Sequence, residues 1–252
     1  MILLIFNYLT CEESEGTKIV TINTGSDLNP LDVETLEEIR KCVSDGDVKP
    51  VIITGSRKAF SAGANIKKFV GLEPATAYDF AKRGHAVMDY LSQYPAPVVA
   101  AVNGYALGGG FELTLACDFR ICNPGAKFAL PEITLGILPG WGGTQRLRKI
   151  LGETQALEIA GSGRYISADE ALKIGLVMNV VDDLLIFAKE FVKRFSGSAP
   201  VSFGLIKNLI RNYEPEYMKL EEDYFGKVFE TEDSREGVKA FLEKRKPSFS
   251  GK

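Results

Sequence analysis

Residues 105–113, YALGGGFEL, put three consecutive glycines in front of an apolar, helix-prone run and set one acid, Glu112, just inside it. Backbone without side chains at a helix start can bring bare N–H groups close to a bound molecule, where unpaired amides and the helix dipole favour negative charge. The triplet therefore reads as a place to hold an oxyanion or as a device for close strand-to-helix packing; on these residues alone the two readings weigh the same. A nucleotide loop fits poorly, because the Gly-Lys-Ser/Thr ending of a phosphate loop and the G-x-G-x-x-G context are both missing. Glu112 alone decides nothing, since the dipole favours a glutamate in any first helical turn.

The choice of proton carriers is narrow. The single histidine, His85, lies in the amphipathic stretch DFAKRGHAVMDYL, where a structural or surface role fits best. A His-rich metal site is thereby excluded, no metal is expected, and acid/base work falls mostly to carboxylates. Cys11, Cys42, Cys117 and Cys122 show no paired metal-ligand spacing and read as core thiols rather than a disulfide framework.

The elements that must position these groups follow from the pattern. The apolar opening MILLIFNYLT lacks a basic leader and is too short to span a bilayer, so it reads as a strand pairing with KIVTINT (18–24) across the turn EESEGT. SDLNPLDVETLEEIRKCVSD carries helix-start signals and helical periodicity, and VKPVIITGS returns as a short buried strand. PAPVVAAVNGYALGGGFELTLACDFRICN repeats that logic: a proline-bounded strand, a glycine turn, a helix from about 108, and a strand near FRICN. The alternation predicts an α/β core, and from about 150 the texture turns mainly helical.

Thirty basic residues against thirty-three acidic ones leave a net charge of −3, with 45% hydrophobic residues. That is ordinary globular composition, which demands no polyanion partner. Neither nucleic acid nor membrane is expected, and the location reads as cytoplasmic.

A second acid gives the triplet its context. FSAGANIKKF (60–69), VNGYALGGGFELTLACDFRI and FALPEITLGILPGWGGTQRL (128–147) together resemble the crotonase, or enoyl-CoA hydratase/isomerase, superfamily. The resemblance runs from the first hairpin through ISADEALKIGLV (166–177) to FETEDSREGVKAFLEKRKPSF (229–249). It implies a spiral of ββα repeats over residues 1–195, followed over 196–252 by helices that build a homotrimer or homohexamer. It also implies an acyl-CoA thioester as substrate and no separate cofactor, coenzyme A being part of the substrate.

Residue by residue, the resemblance places the two oxyanion-hole amides at Ala64 and Gly109 and the two catalytic glutamates at Glu112 and Glu132. Ala62, Asn65, Ile66 and Lys67 become the coenzyme A segment, with Lys67 near phosphate. Two carboxylates can grip one water, one taking its proton while the other delivers a proton to carbon. The reaction implied is hydration of a trans-2-enoyl-CoA to the (S)-3-hydroxyacyl-CoA. An isomerase that shifts the double bond between carbons 3 and 2 is the enzymatic alternative. A non-catalytic homologue that binds coenzyme A, or RNA through Lys67, Lys68, Lys82 and Arg83, is the alternative of another class. Two departures stand out: Asn65 replaces the aspartate of many relatives, and Trp141 replaces a smaller residue. Trp141 either faces the acyl pocket and shortens it or packs in the core.

Overall fold

The computed structural model of the protein describes residues 5–69, 73–211 and 231–252. Residues 1–4 and 212–230, which the sequence assigns to the opening strand and to the helical C-terminal region, lie outside the described residues.

Strands β1 (Leu9–Ser14) and β2 (Thr17–Ile22) form the antiparallel hairpin expected, but the turn is shorter than the sequence suggests. Glu12, Glu13 and Ser14 belong to the strand, and the chain reverses through Glu15 and Gly16 alone, both at positive φ (51° and 73°). A two-residue turn of that hand matches the twist of paired strands. The acids looked like a loop because β1 is an edge strand whose polar side chains face water.

From there the chain winds as a spiral. After helix α1 (Val33–Ser44), strands β3 (Val51–Gly55) and β4 (Ala59–Ser61) lead to α2 (Pro74–Gln93). Strands β5 (Val98–Val102) and β6 (Tyr105–Leu107) lead to α3 (Gly109–Ala116), and β7 (Phe119–Cys122) and β8 (Lys127–Ala129) follow. In each repeat the first strand joins one sheet and the second joins another. The six-stranded sheet runs β1-β2-β3-β5-β7-β10 and the four-stranded sheet β4-β6-β8-β9, with β9 at Ile166–Ser167 and β10 at Asn179–Val180. Neighbours β2-β3-β5-β7 and β4-β6-β8 pair in parallel.

The strands alternate in what they bury. Val51, Ile53, Val98, Ala100 and Val102 face the main core with α1, α2 and α3, whereas Ile52, Val99, Ala101 and Ile121 face α7 (Leu184–Lys193) through Leu184, Ala188, Phe191 and Val192. Both faces of the parallel sheet are covered, which is why VIIT and VVAAV read as continuous apolar runs. The C-terminal half supplies helices α4 (Gly143–Leu151), α5 (Glu153–Ser162), α6 (Ala168–Lys173), α7, α8 (Pro200–Arg211) and α9 (Glu232–Leu242). No described helix is long and apolar enough to cross a membrane.

Two buried cations tie helix ends down. Lys18 of β2 donates to the Cys42, Val43 and Asp45 carbonyls at the C-terminus of α1. Lys207 of α8 donates 2.7 Å to the Tyr94 carbonyl just past α2 and pairs at 2.8 Å with Asp118, whose other oxygen takes Arg211, also at 2.8 Å. Last-turn carbonyls have no helical partner and carry the negative end of the dipole, so cations suit them.

The cysteines correct the sequence reading in part. Cys117 and Cys122 are buried thiols, each pushed up to about 12 by burial. Cys11 and Cys42, however, are joined as a disulfide that staples edge strand β1 to α1, with their Cα atoms 6.3 Å apart. The sulfurs meet because the hairpin and α1 pack together, a proximity that a separation of 31 residues does not advertise. The bond closes a loop of that length and so stabilises by about 2–4 kcal/mol. Denaturant unfolding with and without reductant should therefore show a lower midpoint in reductant; an unchanged midpoint would mean the bond contributes nothing.

Candidate active site

Helix α3 starts where β6 leaves the small sheet, and all eight of its residues are buried. A helix apolar on every side suits a protein centre, so Glu112, 2% exposed, is the exception that needs an account. Its Oε1 accepts two backbone N–H groups, from Trp141 and Gly143, both at 2.8 Å. Burial raises its pKa most strongly; the Gly143 and Trp141 donors and the nearby Arg146 cation pull it back. Gly143 must lack a side chain, since a Cβ there would stand 2.9 Å from Glu112 Cγ.

Glu132 comes from the other side, in the 3-10 turn Pro131–Leu135 that follows β8. A Cβ on Gly108 would lie 2.9 Å from Glu132 Oε1 and 3.9 Å from the Gly63 Cα, so this acid reaches the start of α3. Its Oε2 is buried without a hydrogen-bond partner. Burial, assisted by the charge of Glu112, pushes its pKa up to about 7 despite a bond from its own backbone. Two acids are thus brought together, one held by amides and one left with an oxygen free for another molecule.

The loop that carries Gly63 and Ala64 is held by β-type bonding to Leu31, two residues before α1. Leu31 N–H donates to the Gly63 carbonyl at 2.8 Å and Asn65 N–H to the Leu31 carbonyl at 3.0 Å, which skips Ala64. Ser61 Oγ accepts the Gly63 N–H at 3.0 Å. Gly63, at φ 94°, passes so close to the triplet that a Cβ on it would stand 3.3 Å from the Gly109 nitrogen. The Ala64 and Gly109 N–H groups donate to no other group among the described residues. The close approach of the two glycine-bearing turns is what the triplet provides, and packing and amide presentation are one device.

The remaining sequence candidates follow the first donor. Ala62 N–H is tied to the Leu28 carbonyl at 2.8 Å, and Ile66 and Lys67 open the short turn Ile66–Phe69 with exposed side chains. Lys68 pairs with Asp32 at 3.0 Å and with Glu34, fastening this turn to the start of α1. Of the four cations considered for RNA, Lys68 and Arg83 are thus committed, Arg83 to Glu37 at 2.9 Å. Among the described residues no group of three His, Cys, Asp or Glu side chains is arranged for a metal ion.

Trp141 is 1% exposed, its ring 5.0 Å from Phe80 and its indole N–H on the Phe80 carbonyl. A Cβ on Gly84 or Gly109 would overlap the ring, so the tryptophan fills the space directly behind the start of α3. Packing accounts for it. The sequence reading missed the Trp141 and Gly143 amides and the arginine beneath them, Arg146, whose Nη1 donates to the Trp141 carbonyl at 2.7 Å. The signal available was the run PGWGGTQR, glycines before a helix as at 108–110.

The chain is similar to known proteins over most of its length. The family model described as enoyl-CoA hydratase/isomerase matches residues 12–252. A probable enoyl-CoA hydratase of Bacillus subtilis is 42% identical over 236 residues, covering 88% of this chain and 91% of that protein. A crotonyl-CoA hydratase of Syntrophomonas wolfei is 40% identical over 258 residues, covering 98% and 99%. The crystal structure of an enoyl-CoA hydratase from Bacillus anthracis superposes with a TM-score of 0.89 at 36% identity, covering 97% of this chain and 100% of that one.

Two outcomes follow from the packing and charge. Trp141→Ala should lower the unfolding free energy by about 3–5 kcal/mol, because the cavity it leaves is walled by backbone. Full stability with a shift toward longer acyl chains would instead mark the ring as a pocket wall. For Glu132, a folded pKa near 7 against an ordinary 4.5 means stability that is fully present below pH 4.5 and lost as pH rises through 7. Glu132→Gln should remove that slope, its advantage over wild type growing across this window to the order of 3 kcal/mol; parallel stability curves would overturn the assignment.

Proposed function

The chain belongs to the enoyl-CoA hydratase/isomerase family, and we propose that Glu112 and Glu132 add water across the double bond of a trans-2-enoyl-CoA held by the Ala64 and Gly109 amides. The protein is an enoyl-CoA hydratase, a hydro-lyase; the crotonyl-CoA hydratase relative at 40% identity points to short acyl chains. The observation that carries the residue assignment is the buried, partnerless Oε2 of Glu132 beside a Glu112 already fixed by two amides.

The steps balance with no other group. The thioester oxygen sits between the two amides, which strengthen their bonds as negative charge moves onto it, an effect of about 3–4 kcal/mol per donor. Water oxygen bonds to carbon 3 and one water proton passes to Glu112, whose amide partners favour its ionised form. The electron pair of the double bond, drawn toward the thioester, takes the Glu132 proton at carbon 2. One hydration leaves the Glu132 proton on carbon 2 and a water proton on Glu112; the reverse reaction starts from that state, and proton exchange with solvent restores protonated Glu132 and ionised Glu112 for the next forward turnover.

Coenzyme A lies along Ala62, Asn65, Ile66 and Lys67 in this reading, with the exposed Lys67 free of ion pairs among the described residues. Asn65 already spends its backbone N–H on Leu31, so only its amide side chain is left for the ligand. The product is the (S)-3-hydroxyacyl-CoA. A homotrimer or homohexamer built partly through residues 196–252 belongs to the same reading, supported by the exposed Ile206 and Ile210 of α8 and by Leu138 at 72% exposure. A cytoplasmic location rests on composition, and the Cys11–Cys42 bond pulls against it, since reducing compartments keep thiols apart.

Crotonyl-CoA hydration, followed by loss of the conjugated thioester absorbance, tests the assignment. Glu112→Gln and Glu132→Gln should each cut kcat by about 100-fold to 10,000-fold. The wild-type hydration rate should fall as pH rises past about 7, where Glu132 loses its proton. An inactive wild type with turnover of a 3-enoyl-CoA would replace the hydratase by the isomerase, and full activity in either variant would remove that glutamate from the mechanism.

A further inference from the structure

We propose that Arg146 is a positioning residue for the reaction: from behind, its guanidinium holds the 141–143 loop so that both loop amides stay on the Glu112 carboxylate. The inference rests on the hydratase reading above.

The contacts form one continuous path. Arg146, in the first turn of α4, donates from Nη1 to the Trp141 carbonyl at 2.7 Å and pairs through Nη2 with Asp89 of α2 at 2.5 Å. Two residues of the loop it grips, Trp141 and Gly143, send their N–H groups to one oxygen of Glu112. Between them Gly142, at φ 95°, is in direct contact with the guanidinium, for a Cβ there would overlap Nη1. The arginine side chain is 13% exposed while Asp89 is 58% exposed, so the cation is sunk into the wall and anchored from its outer end.

The loop is also held by the Trp141 indole N–H on the Phe80 carbonyl and by the Arg146 N–H on the Gly142 carbonyl at 3.0 Å, but the guanidinium is the group that reaches its outer side. On the side of Arg146 away from Glu112 the structure opens into a cavity of about 650 Å³ lined by His85, Asp89, Asp118, Lys207 and Arg211 as well as Arg146 itself. A loop with space behind it keeps its amides aimed only if something spans the gap. A planar fork can bind a carbonyl and a carboxylate at once, where an ammonium offers a point charge. The cation also acts through space, favouring the ionised form of Glu112. The charged groups around this acid are Glu132 from the turn after β8 and Arg146 from α4; Arg146 in turn meets Asp89 and His85 of α2 and Arg211 of α8.

The sign of the effect follows. Without the cation Glu112 ionises at higher pH, and without the clamp its amides loosen, so the water-activating form is scarcer and less well aimed. The guanidinium is engaged by the Trp141 carbonyl and Asp89, so substrate binding should change little.

The test uses full-length protein and crotonyl-CoA, comparing wild type, Arg146→Gln and Arg146→Lys across pH. Arg146→Gln should lower kcat by roughly tenfold to a hundredfold, the scale of a small misplacement of a catalytic group, with KM little changed and the acid limb of the rate profile moved to higher pH. Arg146→Lys should return the limb toward wild type while leaving kcat reduced, because charge is restored and the fork is not. Carbon-13 titration of the Glu112 carboxyl, assigned by its loss in Glu112→Gln, gives the same shift without turnover. An unmoved Glu112 titration and limb in Arg146→Gln, whether or not stability falls, overturns the inference while leaving the hydratase intact. A wild type that does not hydrate crotonyl-CoA overturns the hydratase reading instead.

Discussion

A carboxylate in the middle of a fully buried helix has to be compensated, and the architecture around α3 is organised by how that is done. Water is replaced at Glu112 by two amides of one loop, those of Trp141 and Gly143. An unpaired buried carboxylate would take up a proton instead of staying charged. The loop 141–143 is therefore as much a part of the acid as its own carboxyl group. Its glycines and its arginine belong to the same requirement: the chain must come within contact of Glu112 Cγ without a side chain in the way.

The ββα spiral makes these approaches possible. Each repeat ends a strand of the small sheet at the same edge, so the turns after β4, β6 and β8 arrive side by side. They bring, in order, Gly63–Ala64, the glycine triplet, and Glu132. Three sites far apart in sequence become neighbours because successive repeats are stacked one strand apart. The register of the small sheet thus sets the geometry of the chemistry, while the large sheet and α7 provide the rigid, doubly covered backing.

This explains which features the sequence disclosed. The strands at 51–55 and 98–102 and the helix beginning at 109 follow from local apolar pattern and glycine punctuation, and they stand where the pattern puts them. Glu112 drew attention as the acid behind the glycine triplet and Glu132 through the family resemblance, and the structure brings both to the start of α3. What stayed hidden depends on tertiary contact. Acidic residues of an edge strand look like a turn; a cysteine on β1 and another on α1 reveal their bond only when the hairpin packs; Arg146 looks like any helical surface cation until its partners, Asp89 and the Trp141 carbonyl, are seen. Such features join elements with no fixed spacing along the chain, and periodicity cannot report them.

The two glutamates then show how one residue type is given two tasks. Both are pushed toward the neutral form by burial, and Glu132 feels the charge of Glu112 less than it feels its own burial. Glu112 has donors on one oxygen and a cation behind them, so its charged form is supported. Glu132 has an oxygen with no donor among the described residues, so its neutral form is. In the proposed mechanism Glu132 gives a proton and Glu112 takes one, and unlike surroundings are what reversible proton traffic between two sites needs.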